Sequence, residues 1–195
     1  KLSPVDFARE RLGWWAPALM QKADLAIPAA LWDACKSSEP KPEGKTAYGV
    51  KFSSDGSEVV LCGAAIPANG PARISLIDRR NTGTGTRWLA DWLNERYHKA
   101  SCVVIDGRNG ADVLVDKIAP IWKQKGSIVR PAARDVVTAA SMLCNALGER
   151  SVTWYSKQEL LRDSAVKAVK RPLAGGWAFG GDDSAPIEAA ALALW

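Results

Sequence analysis

Histidine is almost missing from this chain: His98 is the single one, and it follows Tyr97 at the end of a helical pattern, where a cap or a surface residue is expected. Histidine-driven acid–base chemistry therefore has little support. No C-x-x-C pair occurs either. Cys35, Cys62, Cys102 and Cys144 are far apart and sit in apolar surroundings, which argues against structural zinc and for buried, reduced thiols. Charge interrupts every apolar stretch well short of the ~18 to 20 residues of a spanning helix. The first residues also lack the charged-then-apolar order of a signal peptide. A chain that folds in water, without a membrane and in a cytoplasm, is the expectation. Internal repeats and low-complexity tracts are absent as well.

What is present is ordinary globular material. With 195 residues, 47% hydrophobic and 24% charged, the chain can bury one substantial core with some length to spare. The net charge of +5 suits a phosphate backbone but equally suits no nucleic acid, so charge alone decides nothing.

Val5 to Trp15 has helical spacing after Pro4, with Phe7, Leu12 and Trp15 as apolar anchors. A short second helix is predicted after Pro28, with Leu31, Trp32 and Cys35 on one face. Ser37 to Lys45 reads as a loop, so residues 1–45 are taken as a helical connector and 46–195 as the main domain. Strands follow at Ala47 to Phe52, Glu58 to Ile66 and Arg73 to Asp78, separated by turn signals at Ser54-Asp55-Gly56 and Asn69-Gly70-Pro71. Tight turns between sequential strands predict an antiparallel meander. Thr86 to Tyr97 is an amphipathic helix, and Cys102 to Ile105 is a short apolar strand of the buried kind. A helix over Ala111 to Gln124, a strand at Ile128 to Arg130, a helix from Pro131 to Leu147 and a last alanine-rich helix, Ala189 to Trp195, complete the pattern. The alternation predicts an α/β fold, a mixed sheet with helices on both faces. The nine tryptophans are read as packing residues at mostly helical positions.

Three acidic places could carry chemistry. Asp106 ends an apolar strand and precedes Gly107, and strand ends in such sheets open onto the crevice where ligands bind. An Asp before Gly also serves as a turn or cap residue. Asp182 and Asp183 lie on a glycine-freed loop before Pro186 and the last helix, where they can hold a cation or cap the helix. Glu188 is within reach of a metal but is expected to face solvent, and Asp55 reads as a hairpin-turn residue. Phosphodiester hydrolysis by two metal ions needs several carboxylates around cations roughly 3.5 to 4 Å apart, and oxygen ligands suit Mg2+ or Mn2+.

Among the basic residues, Arg79, Arg80 and Arg87 flank the Gly/Thr-rich loop from Asn81 to Thr86, which could follow a phosphate backbone or be solvated loop charge. Lys167, Lys170 and Arg171 recur at helical spacing near Trp177, as a second DNA-facing strip or an exposed helix face.

Four segments carry a resemblance. Phe7-Ala-Arg-Glu-Arg-Leu-Gly-Trp, Tyr48-Gly-Val-Lys-Phe-Ser-Ser-Asp-Gly-Ser, Val103-Val-Ile-Asp-Gly and the stretch from Gly176-Trp-Ala-Phe through Asp183-Ser-Ala-Pro-Ile-Glu to Trp195 resemble, in order and spacing, the nuclease half of tailed-phage large terminase subunits. The resemblance covers nearly the whole chain. It implies a ribonuclease H-like fold and a Mg2+- or Mn2+-dependent endonuclease that cuts concatemeric double-stranded DNA during packaging, in the host cytoplasm. It also implies partnership with a terminase ATPase domain, the small terminase subunit and the portal protein. No G-x-x-x-x-G-K-[ST] loop occurs, so an ATPase portion is expected to precede this chain.

Carried over by position, the resemblance makes Asp106 the second-strand acid and Asp183 the late-helix acid, with Asp182 as an auxiliary ligand. The first-strand acid falls on Lys51, whose ammonium cannot ligate Mg2+ and repels it. Lys51 is therefore expected to pair with Asp106 and Asp183. A silencing substitution, a degenerate prophage copy, and replacement of the missing ligand by Asp55 all account for it. Two other readings stand beside the nuclease: a silent DNA-binding or portal-docking module, and a ribonuclease H-like enzyme acting on RNA or branched DNA.

Overall fold

The computed structural model describes residues 24–195; the helix expected over Val5 to Trp15 lies outside them. Helix α1 (Ala29–Asp33) begins after extended Pro28 and buries Trp32. Strands β1 (Lys36–Ser37), β2 (Lys45–Phe52), β3 (Glu58–Ile66) and β4 (Ala72–Asn81) follow, then α2 (Arg87–Arg96), β5 (Ala100–Asp106), α3 (Ala111–Ile118), β6 (Ile128–Val129) and α4 (Ala133–Gly148). The chain closes with β7 (Val152–Tyr155), α5 (Glu159–Lys167), the hairpin β8 (Val169–Leu173) and β9 (Gly176–Gly180), and α6 (Ala185–Leu194).

One seven-stranded sheet has the order β1-β7-β4-β3-β2-β5-β6. The expected meander is its centre: β2 pairs antiparallel with β3, and β3 with β4, while β2–β5 and β5–β6 are parallel. Side chains alternate across this sheet. Tyr48, Val50, Phe52, Val103 and Ile105 pack against α2 and α3 in one apolar cluster. The residues between them face the opposite layer, built from α1, α4, α5 and α6 around Trp32 and Trp154. Their rings stack with centroids 5.4 Å apart, and Trp154 Nε1 donates to the Trp32 carbonyl at 2.9 Å. Residues 24–37, taken from sequence as connector, thus place Trp32 in the main core and β1 beside β7.

Other differences have local causes. The helix expected to reach Gln124 stops at Ile118, because Pro120 ends it, and the following turn buries Trp122. Lys170 and Arg171 are not on a helix: α5 ends at Lys167, Ala168 is extended, and Pro172 with Val169 belongs to β8. Trp154 and Trp177 are strand residues. No helix among the described residues is long and apolar enough to cross a membrane. All four cysteines are free, with Cys35 and Cys62 buried, and burial pushes the thiol of Cys144 up to about 11.

Candidate active-site crevice

The C-terminal ends of the parallel strands β2, β5 and β6 open onto a cleft of about 820 Å³, closed on its far side by the start of α4, the β8–β9 hairpin and the loop before α6. This is where a sheet of this kind binds ligands. Gly107, at φ 140°, lets the chain leave β5 directly behind Asp106; a Cβ there would stand 2.6 Å from that of Phe52.

Lys51 and Asp106 are register partners on β2 and β5, and both project to the α6 side of the sheet. Lys51 Nζ lies 2.5 Å from Asp106 Oδ2 and 2.8 Å from Glu188 Oε2. The side chain of Glu188 is only 7% exposed, against 15% for Lys51 and 21% for Asp106. Burial opposes the ammonium, but the nearby carboxylates of Glu188 and Asp106 outweigh it and raise the Lys51 pKa above its ordinary value. Ser184 Oγ donates to Glu188 Oε1 at 2.7 Å, and the Arg171 guanidinium stands 3.9 Å from Glu188 Oε2.

The pairing expected of Lys51 is therefore half met. Asp106 is its partner, but Asp183 turns away to Arg79, 2.8 Å distant, while Arg79 also holds Glu58 at 2.6 Å. Glu188, expected to face solvent, is the second acid on Lys51. The reason is that α6 is apolar all round and buried from Pro186 to Ala193, so an acid in its first turn points inward and needs a cation. That run of alanines was the available signal. Asp182 is exposed and lines the cleft. Asp55 is a turn residue: it accepts from Ser53 Oγ, Ser57 Oγ and the Ser57 amide, which hold its carboxyl down at about 2.

Of the six basic residues picked as DNA contacts, only Arg171 lines the cleft. Arg79 is committed to acids; Arg80 pairs with Asp78 at 2.7 Å and lies over the Trp88 ring. Arg87 and Lys167 are exposed on helices, beside Asp91 and Asp163, and Lys170 pairs with Asp24 at 3.2 Å. The cleft cations are Lys51, Arg108, Arg130 and Arg171. Arg108 and Arg130 sit just past β5 and β6, so the strand-end rule that singles out Asp106 also points to them.

A divalent ion needs oxygen donors converging on an open point. The carboxylates of Asp106 and Glu188 do converge, but the ammonium of Lys51 fills the point they share. Among the described residues, no three His, Cys, Asp or Glu side chains group in a way that would hold a metal. The donor set as it stands does not fit the expected metal pair.

No protein-family model matches the chain, and no curated protein matches it by sequence. Solved structures match it in fold. The large terminase of bacteriophage HK97 is similar at a TM-score of 0.64 and 14% identity, over 88% of this chain and 44% of that one. The large terminase of the thermophilic bacteriophage D6E is similar at 0.60 and 12% identity, over 98% of this chain and 52% of that one. The large terminase nuclease of thermophilic phage G20c, solved with bound cobalt, is similar at 0.59 and 14% identity, over 87% of this chain and 96% of that one; the same nuclease has been solved with bound magnesium. The chain thus spans about half the length of the large terminases it matches. These likenesses establish its fold as the ribonuclease H-like α/β sheet of terminase nuclease domains.

Proposed function

We propose that this chain is the nuclease portion of a phage DNA-packaging large terminase subunit, with double-stranded DNA as its ligand, and that Lys51 withdraws its centre from metal-dependent cleavage. The observation that carries this reading is the Lys51–Asp106–Glu188 cluster at the mouth of the parallel strands, in a fold shared with terminase nucleases. Coverage supports it too: the match takes in 96% of the G20c nuclease but 44% of the HK97 terminase, the proportions of a nuclease portion in a longer subunit. Such a portion works with an ATPase domain, a small terminase subunit and a portal protein in the host cytoplasm. The G20c nuclease holds cobalt or magnesium; here the acids that would hold Mg2+ or Mn2+ are Asp106 and Glu188, with Asp182 nearby, and those acids supply no open coordination point while Lys51 lies between them.

Supercoiled plasmid with Mg2+ or Mn2+ tests the reading. The chain as it stands is expected to leave the plasmid intact, Lys51→Asp to nick and linearise it, and Asp106→Ala added to Lys51→Asp to abolish the cutting. A folded Lys51→Asp form that does not cut in either metal counts against a hydrolytic centre at this crevice.

A further inference from the structure

Arg79, Val60, Lys51 and Asp106 form one lateral row across β4, β3, β2 and β5, each in register with the next. The chain's last turn and helix are set down on the two cations of that row. Asp183 sits on Arg79 at 2.8 Å, and Glu188, in the first turn of the buried helix, sits on Lys51 at 2.8 Å. Lys51 holds Asp106 at 2.5 Å, while Arg171 faces Glu188 from the hairpin. Asp106, Asp183 and Glu188 thus each meet a cation from the chain itself, with Glu58 as a further acid on Arg79.

We propose that the Lys51 ammonium is the resident cation of this centre, bridging Asp106 on β5 and Glu188 on α6 so that the helix is fastened to the sheet without metal. The domain then neither needs nor takes up a divalent cation. Calling this bridge a replacement for a metal rests on the functional reading above; the bridge itself rests on this chain's own geometry. Oxygens of the two acids stand 2.5 and 2.8 Å from one nitrogen. The first lies within, and the second slightly beyond, the roughly 2.0 to 2.6 Å at which Mg2+ or Ca2+ takes carboxylate oxygens. Removing the ammonium leaves buried Glu188 and half-buried Asp106 aimed at a vacated point, an arrangement that costs stability until a cation enters.

Thermal unfolding of the chain with EDTA or with roughly millimolar MnCl2 separates this from an ordinary ion pair, with isothermal titration of MnCl2 in parallel. The unsubstituted chain is expected to melt at one temperature in both and to give no saturable heat. Lys51→Ala is expected to melt roughly 6 to 12 °C lower in EDTA, to regain much of that loss with Mn2+, and to bind Mn2+ saturably. Adding Glu188→Gln to Lys51→Ala is expected to remove the response to Mn2+. An unsubstituted chain stabilised by Mn2+ overturns the proposal, as does a Lys51→Ala form that keeps its melting temperature and ignores Mn2+. Should Lys51→Ala be unfolded in EDTA, folding on addition of Mn2+ supports the bridge and continued unfolding overturns it. Plasmid cutting by Lys51→Asp bears on the nuclease reading alone: a Mn2+-indifferent chain whose Lys51→Asp form never cuts keeps its resident cation and loses its nuclease.

Discussion

Lys51 owes its neighbour Glu188 to a residue two places earlier on the same face of β2. Gly49 has no side chain, and α6 lies directly on its backbone: a Cβ there would stand 2.1 Å from the Ala189 carbonyl oxygen and 2.7 Å from the Ala193 amide nitrogen. Both atoms belong to helix backbone, so relief requires moving α6 bodily rather than turning a side chain. Gly49→Ala is expected to cost about 1 to 3 kcal/mol, the range for forcing one extra carbon into a packed layer. Urea unfolding reads this directly, and an unchanged midpoint would mean that the helix is free to lift from the sheet. The same change is expected to weaken the Lys51–Glu188 contact, since lifting α6 carries Glu188 with it.

At the scale of elements, the entrance of α6 is held by another helix. Ser184, at its N-cap, makes no side-chain bond to the helix's backbone and instead holds Glu188. The missing cap comes from α5: buried Ser164 Oγ accepts from the Ile187 amide at 3.1 Å and donates to the Asp183 carbonyl at 2.6 Å. Ser164→Ala leaves both backbone groups without this partner and is expected to cost about 1 to 3 kcal/mol, measurable by denaturant unfolding; Ser164→Thr, which keeps the oxygen, is expected to recover part of it. A midpoint unchanged in Ser164→Ala would show that water replaces the hydroxyl. This long-range cap also shows what a linear reading could and could not see. The meander was legible because its turns are local, Asp55 included, and Asp106 was legible because an apolar strand ending in Asp-Gly is a local pattern. Which acid of the terminal segment meets Lys51 depends on how α6 crosses β2, which Gly49 and Ser164 decide from 139 and 23 residues away from Glu188 and Ile187, respectively. Strands β7, β8 and β9 escaped notice for a related reason: they are short segments of mixed polarity, and the basic residues of β8 imitate a helical spacing that Pro172 forbids.

For the molecule as a whole, a net charge of +5 says less about DNA than where the free cations stand. Seven of the described basic residues outside the cleft already face acids, among them Arg79 with Glu58 and Asp183, Arg162 with Asp33, and Lys170 with Asp24. At the cleft mouth Arg108 and Arg130 are exposed and flank the strand ends, although Arg130 also reaches Asp112 and the Gly107 carbonyl. Duplex DNA drawn to this crevice would meet them first. Each neutralised phosphate contributes about −0.9 to the slope of log K against log salt. Arg108→Ala combined with Arg130→Ala is therefore expected to flatten that slope by about 2 and to weaken binding at low salt, as read by fluorescence anisotropy of a labelled duplex over a salt series. Arg87→Ala with Lys167→Ala removes two exposed helix-surface cations that lie outside the cleft and is expected to leave the slope nearly unchanged. If instead the second pair flattens the slope and the first does not, DNA runs over the helical faces, and the crevice around Lys51 is not where the duplex lies.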